Sequence, residues 1–310
     1  MVIKNKKLKV IFITGSGRSG TTLLERLIGQ HSKIFAAGEL NFIWQNSFIE
    51  NQLCGCGKPF YSCETWQQII SFFRKKQNIT DNLEHIKNLE KKYSNTSLFL
   101  LKSFFNLNKP TKEIKELVQS YENLYESIVE SQNVEAIIDS SKNIPHFFYL
   151  INFSQKIDPY ILHIVRNPMA VAYSWKKQKL KPDTGKKEPM PKYSTINTSF
   201  RWLIKNYASQ KYFKNYKYKR IIYEDLVKDP KNTLKNIFQF VNLNDEADII
   251  FKEKNTVNLK VNHTVSGNPM RFKTGTIEIK EDNEWKVKMK SKDKKLVELL
   301  TFPLLKRFYP

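Results

Sequence analysis

Four apolar residues, Val10-Ile11-Phe12-Ile13, lead almost directly into Gly15-Ser16-Gly17-Arg18-Ser19-Gly20-Thr21-Thr22. A short apolar run bounded by glycine reads as a buried strand, and Leu23, Leu24, Leu27 and Ile28 behind it share one helix face. A strand, a glycine turn and a helix start together make an anion site. The glycines let main-chain N–H groups turn inward, and the first helical turn adds unpaired N–H groups and the positive end of the dipole. Ser19, Thr21 and Thr22 contribute hydroxyls. The pattern matches the nucleotide loop G-x-x-x-x-G-K-[ST] at Gly15, Gly20 and Thr22, but Thr21 stands where that loop has lysine. An arginine, Arg18, lies inside the turn instead.

The alternation of apolar run and helical pattern recurs along the chain. Ile34-Phe35-Ala36-Ala37, Ala136-Ile137-Ile138, Tyr160 to Val165 and Arg220 to Tyr223 read as further buried strands. This predicts an α/β fold, a parallel doubly wound sheet, in a single domain over 1–310. Between Trp44 and Glu135 strand signals fade. Trp66–Phe73, Leu83–Tyr93 and Glu113–Val129 there predict a helical insertion over about 44–135. Lys176–Thr198 contains Pro, Lys and Gly and predicts a mobile loop over about 176–198. Trp202–Tyr216 reads as helix, and the pattern from Asn255 onward reads as irregular.

The chain has 310 residues, 40% of them hydrophobic, enough for a large core. Its net charge of +22 is compatible with nucleic acid, an anionic membrane, an acidic substrate or simply a lysine-rich surface. No apolar stretch reaches the ~18 residues of a membrane span. The basic start, Met1 to Lys7, lacks the long apolar core of a signal peptide, which points to a cytoplasmic protein. The three cysteines, Cys54, Cys56 and Cys63, are too odd in number for a complete disulfide framework. A zinc site wants four ligands, and the nearest histidines, His31 and His85, are not at finger spacing, so local structural or redox roles and no metal are expected.

In open α/β sheets ligands bind beyond the carboxyl ends of the strands. Those positions hold Gly15–Thr22, then Gly38-Glu39, then Asp139-Ser140-Ser141-Lys142, then Arg166-Asn167-Pro168 with Ser174 two turns on, then Glu224-Asp225. Arginine, lysine, serine and glycine gather at one edge, as an anion pocket requires. An ATP-dependent small-molecule kinase of P-loop type would use Asp139 on Mg²⁺, yet the missing lysine counts against it. A sulfuryl group carries less charge than a terminal phosphate and needs no metal bridge. A charge-driven nucleic-acid binder would leave the ordered strand-end motifs unexplained.

Two stretches resemble one family. Gly-x-x-Arg-Ser-Gly-Thr-Thr after the first strand is similar to the 5′-phosphosulfate loop of sulfotransferases that use 3′-phosphoadenosine 5′-phosphosulfate (PAPS). Ile164 to Ser174, IVRNPMAVAYS, is similar to their second signature. The resemblance implies the sulfotransferase fold, PAPS as donor, no metal, and donor binding by Gly17, Arg18, Ser19, Gly20, Thr21 and Thr22. It further implies that Arg166 and Ser174 hold the 3′-phosphate and that Tyr223, in YEDLVKDP, lies near the adenine. The stretch His263 to Gly275 resembles the family's closing loop, which implies roles for Ser266 toward the phosphosulfate and for Arg271 and Lys273 toward the 3′-phosphate. It departs from the Arg-Lys-Gly of the small-molecule branch by reading Lys273-Thr274-Gly275.

Sulfuryl transfer needs a base for the acceptor proton, in-line positioning, and stabilisation of charge on the leaving phosphate. AAGELNF resembles the protein-tyrosine and some carbohydrate branches, where a Gly-Glu after the second strand provides the base, which implies Glu39 here. Lys142, in DSSKNIP, is implied to share the leaving-group charge with Arg18. The expected acceptor is a small-molecule, carbohydrate or peptide hydroxyl, or an amine.

Overall fold

The computed structural model describes residues 7–77, 83–177, 180–181, 188–189 and 191–309. Its elements follow the apolar runs. Strand β1 (Leu8–Gly15) leads through the glycine turn into helix α1 (Thr21–Ile28), and β2 (Ile34–Gly38) follows. Four helices come next: α2 (Glu64–Lys76), α3 (Leu83–Tyr93), α4 (Thr96–Phe104) and α5 (Lys112–Gln132). Then β3 (Ala136–Asp139), α6 (Ile144–Phe153), β4 (Ile157–Val165) and α7 (Pro168–Lys176) alternate. A two-residue ladder, β5 (Leu180–Lys181) and β6 (Glu188–Pro189), precedes α8 (Thr195–Phe213), β7 (Lys217–Ile222), α9 (Tyr223–Lys228) and α10 (Pro230–Phe240). The chain closes with α11 (Ala247–Ile250), β8 (Phe251–Glu253), β9 (Thr256–Leu259), β10 (Gly275–Glu278), α12 (Glu284–Lys288) and α13 (Ser291–Phe308).

Five strands form a parallel sheet in the order β2-β3-β1-β4-β7. The order reverses direction between β1 and β4, the kind of switch point at which α/β folds bind ligands. Register is set by apolar pairs such as Val10 with Ile137 and Ile11 with Ile138.

Three sequence expectations need correction. Tyr223 does not end the fifth strand. It starts α9, because Glu224 and Asp225 in the first turn favour a helix N-terminus. The stretch after Asn255 is not irregular: β9 and β10 pair antiparallel, and α13 buries Val297, Thr301, Leu304 and Phe308 on one face. Pro303 inside that helix and the surrounding lysines hid the period. Helix α4 was not foreseen either. Of the mobile loop expected over 176–198, Lys176 ends α7, Leu180–Lys181 pair with Glu188–Pro189 and Thr195–Thr198 open α8, while 178–179, 182–187 and 190 lie outside the described residues.

The chain divides into two compact units. The first comprises Met1–Phe12, Ser32–Tyr160 and Val261–Gly267. Its helical part is held by aromatic packing: Trp44 stacks on Phe48 at 5.4 Å and meets Tyr121 edge-on at 5.4 Å, and Phe60 lies 5.0 Å from Trp66. Rings of this kind dominate core energetics, with about 0.5–1.5 kcal/mol per pair beyond burial. The second unit comprises Ile13–His31, Ile161–Lys260 and Asn268–Pro310. Val165, Val171, Trp202, Leu304 and Phe308 form one of its buried clusters and anchor β4, α7 and α8. Among the described residues no helix is long and apolar enough to cross a membrane.

Candidate active site

In the second unit the glycine turn is fixed by its neighbours. Gly20 has φ 91°, a conformation that L side chains rarely adopt, and an added Cβ would lie 2.4 Å from the Tyr223 ring. Arg18 also sits in the left-handed region, at φ 69°, a strain of about 1 kcal/mol or more that surrounding contacts must hold. Trp175 supplies such contacts. Its indole N–H donates to the Gly17 carbonyl at 3.3 Å, and the Arg18 guanidinium lies 4.8 Å from its ring centroid. The Ser19 N–H closes the turn on the Ser16 carbonyl. Ser19 is wholly buried, and its hydroxyl has no hydrogen-bond partner among the described residues. Thr21 and Thr22 begin α1 and leave first-turn N–H groups for an outside acceptor.

Arg166 follows the last residue of β4. Trp202 Nε1 donates to its carbonyl at 2.9 Å, and Asn167 caps α7 by accepting from the Met169 N–H. The Arg166 side chain is only 6% exposed as a residue yet makes three directed contacts. It donates to the Arg18 carbonyl at 3.2 Å, pairs with Asp282 at 3.2 Å, and lies 4.4 Å from the Tyr223 ring centroid. Its Nε is buried with no hydrogen-bond partner among the described residues. A cavity of about 480 Å³ opens here, lined by Arg166, Tyr223, Trp285, Lys286 and Tyr309 and by the acidic residues Glu224, Asp225, Glu281 and Asp282. Burial pushes the Tyr223 phenol up from its ordinary range, so it stays protonated. Ser174 is buried in α7, two turns beyond Arg166.

The remaining donor-side expectations fall on the closing stretch. Arg271 is buried in the short turn Pro269–Phe272, with its guanidinium 4.2 Å from the Phe272 ring centroid. Lys273 is exposed. Its carbonyl accepts from Arg26 at 2.6 Å, while Lys260's carbonyl accepts from the same nitrogen at 2.9 Å. Arg26 is thus a buried strut from α1 to both ends of the segment that leaves and re-enters this unit. Sequence reasoning missed Arg26, Asp282 and Trp285, which belong to no motif. It did not single out Trp175, although its place directly after Ser174 was the available signal.

In the first unit the structure brings Glu39, Lys142 and the Val265-Ser266 segment together. Gly38 ends β2 at φ 92°, and an added Cβ would lie 2.1 Å from the Val265 carbonyl oxygen. This close approach lets Val265 donate to Ala37 and the Glu39 N–H donate to Val265, both at 2.9 Å. The Glu39 carboxylate meets the Lys142 ammonium at 2.6 Å, with side chains 16% and 15% exposed. Lys142 also donates to the Ser140 carbonyl at 2.8 Å and has φ 55°. Ser266 Oγ accepts from Asn46 Nδ2 at 2.9 Å.

Behind Lys142 lies a buried polar network. Asp139 accepts from Tyr125 Oη at 2.7 Å, from the Ser141 N–H at 2.9 Å and from the Ser141 hydroxyl, and it meets His146 Nε2 at 3.1 Å. Glu90 faces the other imidazole nitrogen at 3.5 Å. Burial alone would raise the Asp139 carboxyl, but His146 and Ser141 outweigh it and hold it below the usual carboxylate range. Burial alone would also keep His146 neutral, but Glu90 and Asp139 push it up to about 9. The kinase reading therefore fails at its acidic residue. Asp139 is fully buried and its oxygens are taken by side chains that fold the turn, not turned outward toward a metal.

The same unit gathers all three cysteines around His263, 200 residues beyond Cys63. At that separation no local spacing rule links His263 to the cysteines.

A sequence profile of the sulfotransferase family matches residues 10–247, a span that includes the glycine turn, Glu39, Lys142, Arg166, Ser174 and Tyr223. The fold is similar to the sulfotransferase domain of the olefin synthase from Synechococcus PCC 7002, with a TM-score of 0.56, 19% identity, and coverage of 99% of this chain and 97% of that one. It is also similar to the sulfotransferase domain from the curacin biosynthetic pathway, with a TM-score of 0.53, 20% identity, and coverage of 95% and 98%. No curated protein matches significantly in sequence. The matching family model is that of sulfotransferases, which counts against the kinase alternative a second time. With the profile running through most of the chain and the fold in agreement, the chain belongs to the sulfotransferase family.

Proposed function

We propose that the protein transfers a sulfuryl group from PAPS to a hydroxyl or amine acceptor by in-line displacement. One observation carries the reading. Two buried donors, Ser19 Oγ and Arg166 Nε, lack partners among the described residues, and Arg166 is hydrogen-bonded to the turn that holds Ser19. Buried polar groups are nearly always satisfied, so paired orphans of this kind fit an anionic ligand. The adjoining cavity of about 480 Å³ is on the scale of small-molecule sites, roughly 300–1,000 Å³.

When bound, PAPS supplies the activated sulfuryl group. The N–H groups and hydroxyls of Ser19, Gly20, Thr21 and Thr22, with the Gly17 turn, cradle the 5′ end. Arg166 and Ser174 take the 3′-phosphate, which competes with Asp282 for the guanidinium, and Arg271 and Lys273 add positive charge. Tyr223 packs near the adenine. Glu39 removes the acceptor proton as the acceptor–sulfur bond forms and the bond from sulfur to the 5′-phosphate oxygen breaks. Arg18, Lys142 and Ser266 stabilise the charge left on that phosphate. A positioned base contributes about 10²–10⁴-fold in rate. The acceptor is a small molecule, carbohydrate or peptide, and the setting is cytoplasmic.

The reading is tested by incubating the protein with ³⁵S-labelled PAPS and a panel of hydroxyl and amine acceptors, without added metal. Acceptor-dependent transfer of label supports it. Thermal stabilisation by ATP-Mg²⁺ but not by 3′-phosphoadenosine 5′-phosphate would overturn it.

A further inference from the structure

We infer that Cys54, Cys56, Cys63 and His263 form a structural zinc site. One ligand atom from each lies within 4.8 Å of all the others. Tetrahedral zinc with bonds of about 2.3 Å to sulfur and 2.0–2.1 Å to nitrogen sets its ligand atoms roughly 3.5–3.8 Å apart. His263 Nδ1 lies 3.2 Å from Cys63 Sγ and 3.7 Å from Cys54 Sγ, and no pair exceeds 4.8 Å, so shifts of about 1 Å or less bring the four atoms to tetrahedral spacing. Three thiolates and one imidazole are a closed structural set, with no open position for a reacting water. All three thiols are unpaired by disulfide, two of them buried.

The backbone around the four residues is built to hold them. Leu53 and Pro59 bridge antiparallel, and Gly57 turns the chain at φ 85° so that its N–H donates to the Cys54 carbonyl. Cys54 and Cys56 therefore sit on one tight turn. Gly55 lies between them, and an added Cβ there would meet the Asn262 side chain at 2.2 Å. Only glycine lets the 261–267 segment come so close. The Gly55 N–H donates to the Thr264 carbonyl at 2.9 Å, and Trp66 Nε1 donates to the His263 carbonyl at 2.8 Å. Cys63 immediately precedes α2.

The consequence is mechanical. His263 lies two residues before Val265, whose main chain bonds Ala37 and Glu39. A zinc ion would clamp the turn at 54–63 onto the segment that fixes the Glu39 backbone. This inference is independent of the sulfotransferase chemistry, because it concerns metal content and stability.

The test uses the full chain expressed without an affinity tag that binds metal and purified under reducing, chelator-free conditions. Elemental analysis is expected to give one zinc per chain. Replacing zinc with Co²⁺ is expected to give the intense visible absorption of tetrahedral thiolate cobalt. Cys56→Ser, at the half-buried ligand, is expected to lower zinc affinity at least tenfold while circular dichroism shows a folded chain, and His263→Asn is expected to shift the cobalt spectrum. Zinc well below one per chain after Zn²⁺ addition and desalting, a Cys54–Cys63 disulfide in the native protein under these reducing conditions, or full zinc retention by the Cys56→Ser/His263→Asn double variant would each overturn it.

Discussion

The guanidinium of Arg166 donates to the main-chain carbonyl of Arg18 across 3.2 Å, although 148 residues separate them. The contact joins the end of β4 to the turn after β1, so two motifs far apart in sequence are held side by side. Trp175 reinforces it from α7 by holding the Gly17 carbonyl and lying against the Arg18 guanidinium.

Arg166→Ala is accordingly expected to weaken 3′-phosphoadenosine 5′-phosphate by about 10–150-fold, the range for losing a charged hydrogen-bond partner of about 1.5–3 kcal/mol. Arg166→Lys should recover only part of this, because an ammonium cannot lie flat against Tyr223 while donating in two directions. Isothermal calorimetry on the three proteins measures it. Unchanged affinity in Arg166→Ala would remove this residue from the donor site.

Gly20→Ala introduces a methyl group 2.4 Å from the Tyr223 ring at a backbone φ of 91°. Strain at such a position is about 1–3 kcal/mol. The variant should unfold at lower urea concentration and bind nucleotide more weakly, since both the turn and Tyr223 must shift. A urea midpoint equal to that of the parent would show that the turn is not held as described.

Glu39→Gln keeps the shape of the side chain but removes the ion pair with Lys142 and the proposed base. Turnover is expected to fall by about 10²–10⁴-fold, with nucleotide affinity within a few-fold of the parent. Single-turnover transfer of labelled sulfate, paired with calorimetry, separates the two effects. Full rate on a true acceptor would assign the proton to another group.

Taken alone, the buried His163 and His146 are expected to place a stability maximum near pH 6.5. Burial lowers His163 to about 4 despite its hydrogen bond to Asn206. Between pH 6.5 and 4 the unfolded chain gains a proton that the folded chain refuses, so its contribution is present above pH 6.5 and lost on acidification. His146 is raised to about 9. Its contribution is full below pH 6.5 and lost as pH climbs toward 9, where the unfolded chain is already neutral. Each effect is on the order of 3 kcal/mol at most. Urea midpoints across pH 4–9 should show His163→Gln losing the acid limb and His146→Gln the alkaline limb. Profiles parallel to the parent would refute both assignments.

Much of this was legible in the sequence because it is local. Val10–Ile13, Ala136–Ile138 and Tyr160–Val165 are unbroken apolar runs, and runs of that kind become central parallel strands. The glycine turn and the Arg166–Ser174 spacing carry their geometry in a dozen residues each. What stayed hidden depends on distant partners. His263 joins the cysteines only because Gly38 and Gly55 let the 261–267 segment approach. Asp282 and Trp285 reach the Arg166 cavity from a stretch whose lysines mask its period, and Pro303 breaks the pattern of the helix that packs beside α8. The Asp139 position shows the opposite failure: a strand-end carboxylate looks like a metal partner until Tyr125 and His146 are seen to enclose it.

Calorimetric comparison of 3′-phosphoadenosine 5′-phosphate with adenosine 5′-phosphate, in metal-free buffer, tests the central claim most directly. A surface that joins the glycine turn to Arg166 should bind the 3′-phosphorylated nucleotide at least ~100-fold more tightly, about 2.7 kcal/mol. Equal affinity for the two nucleotides would contradict it.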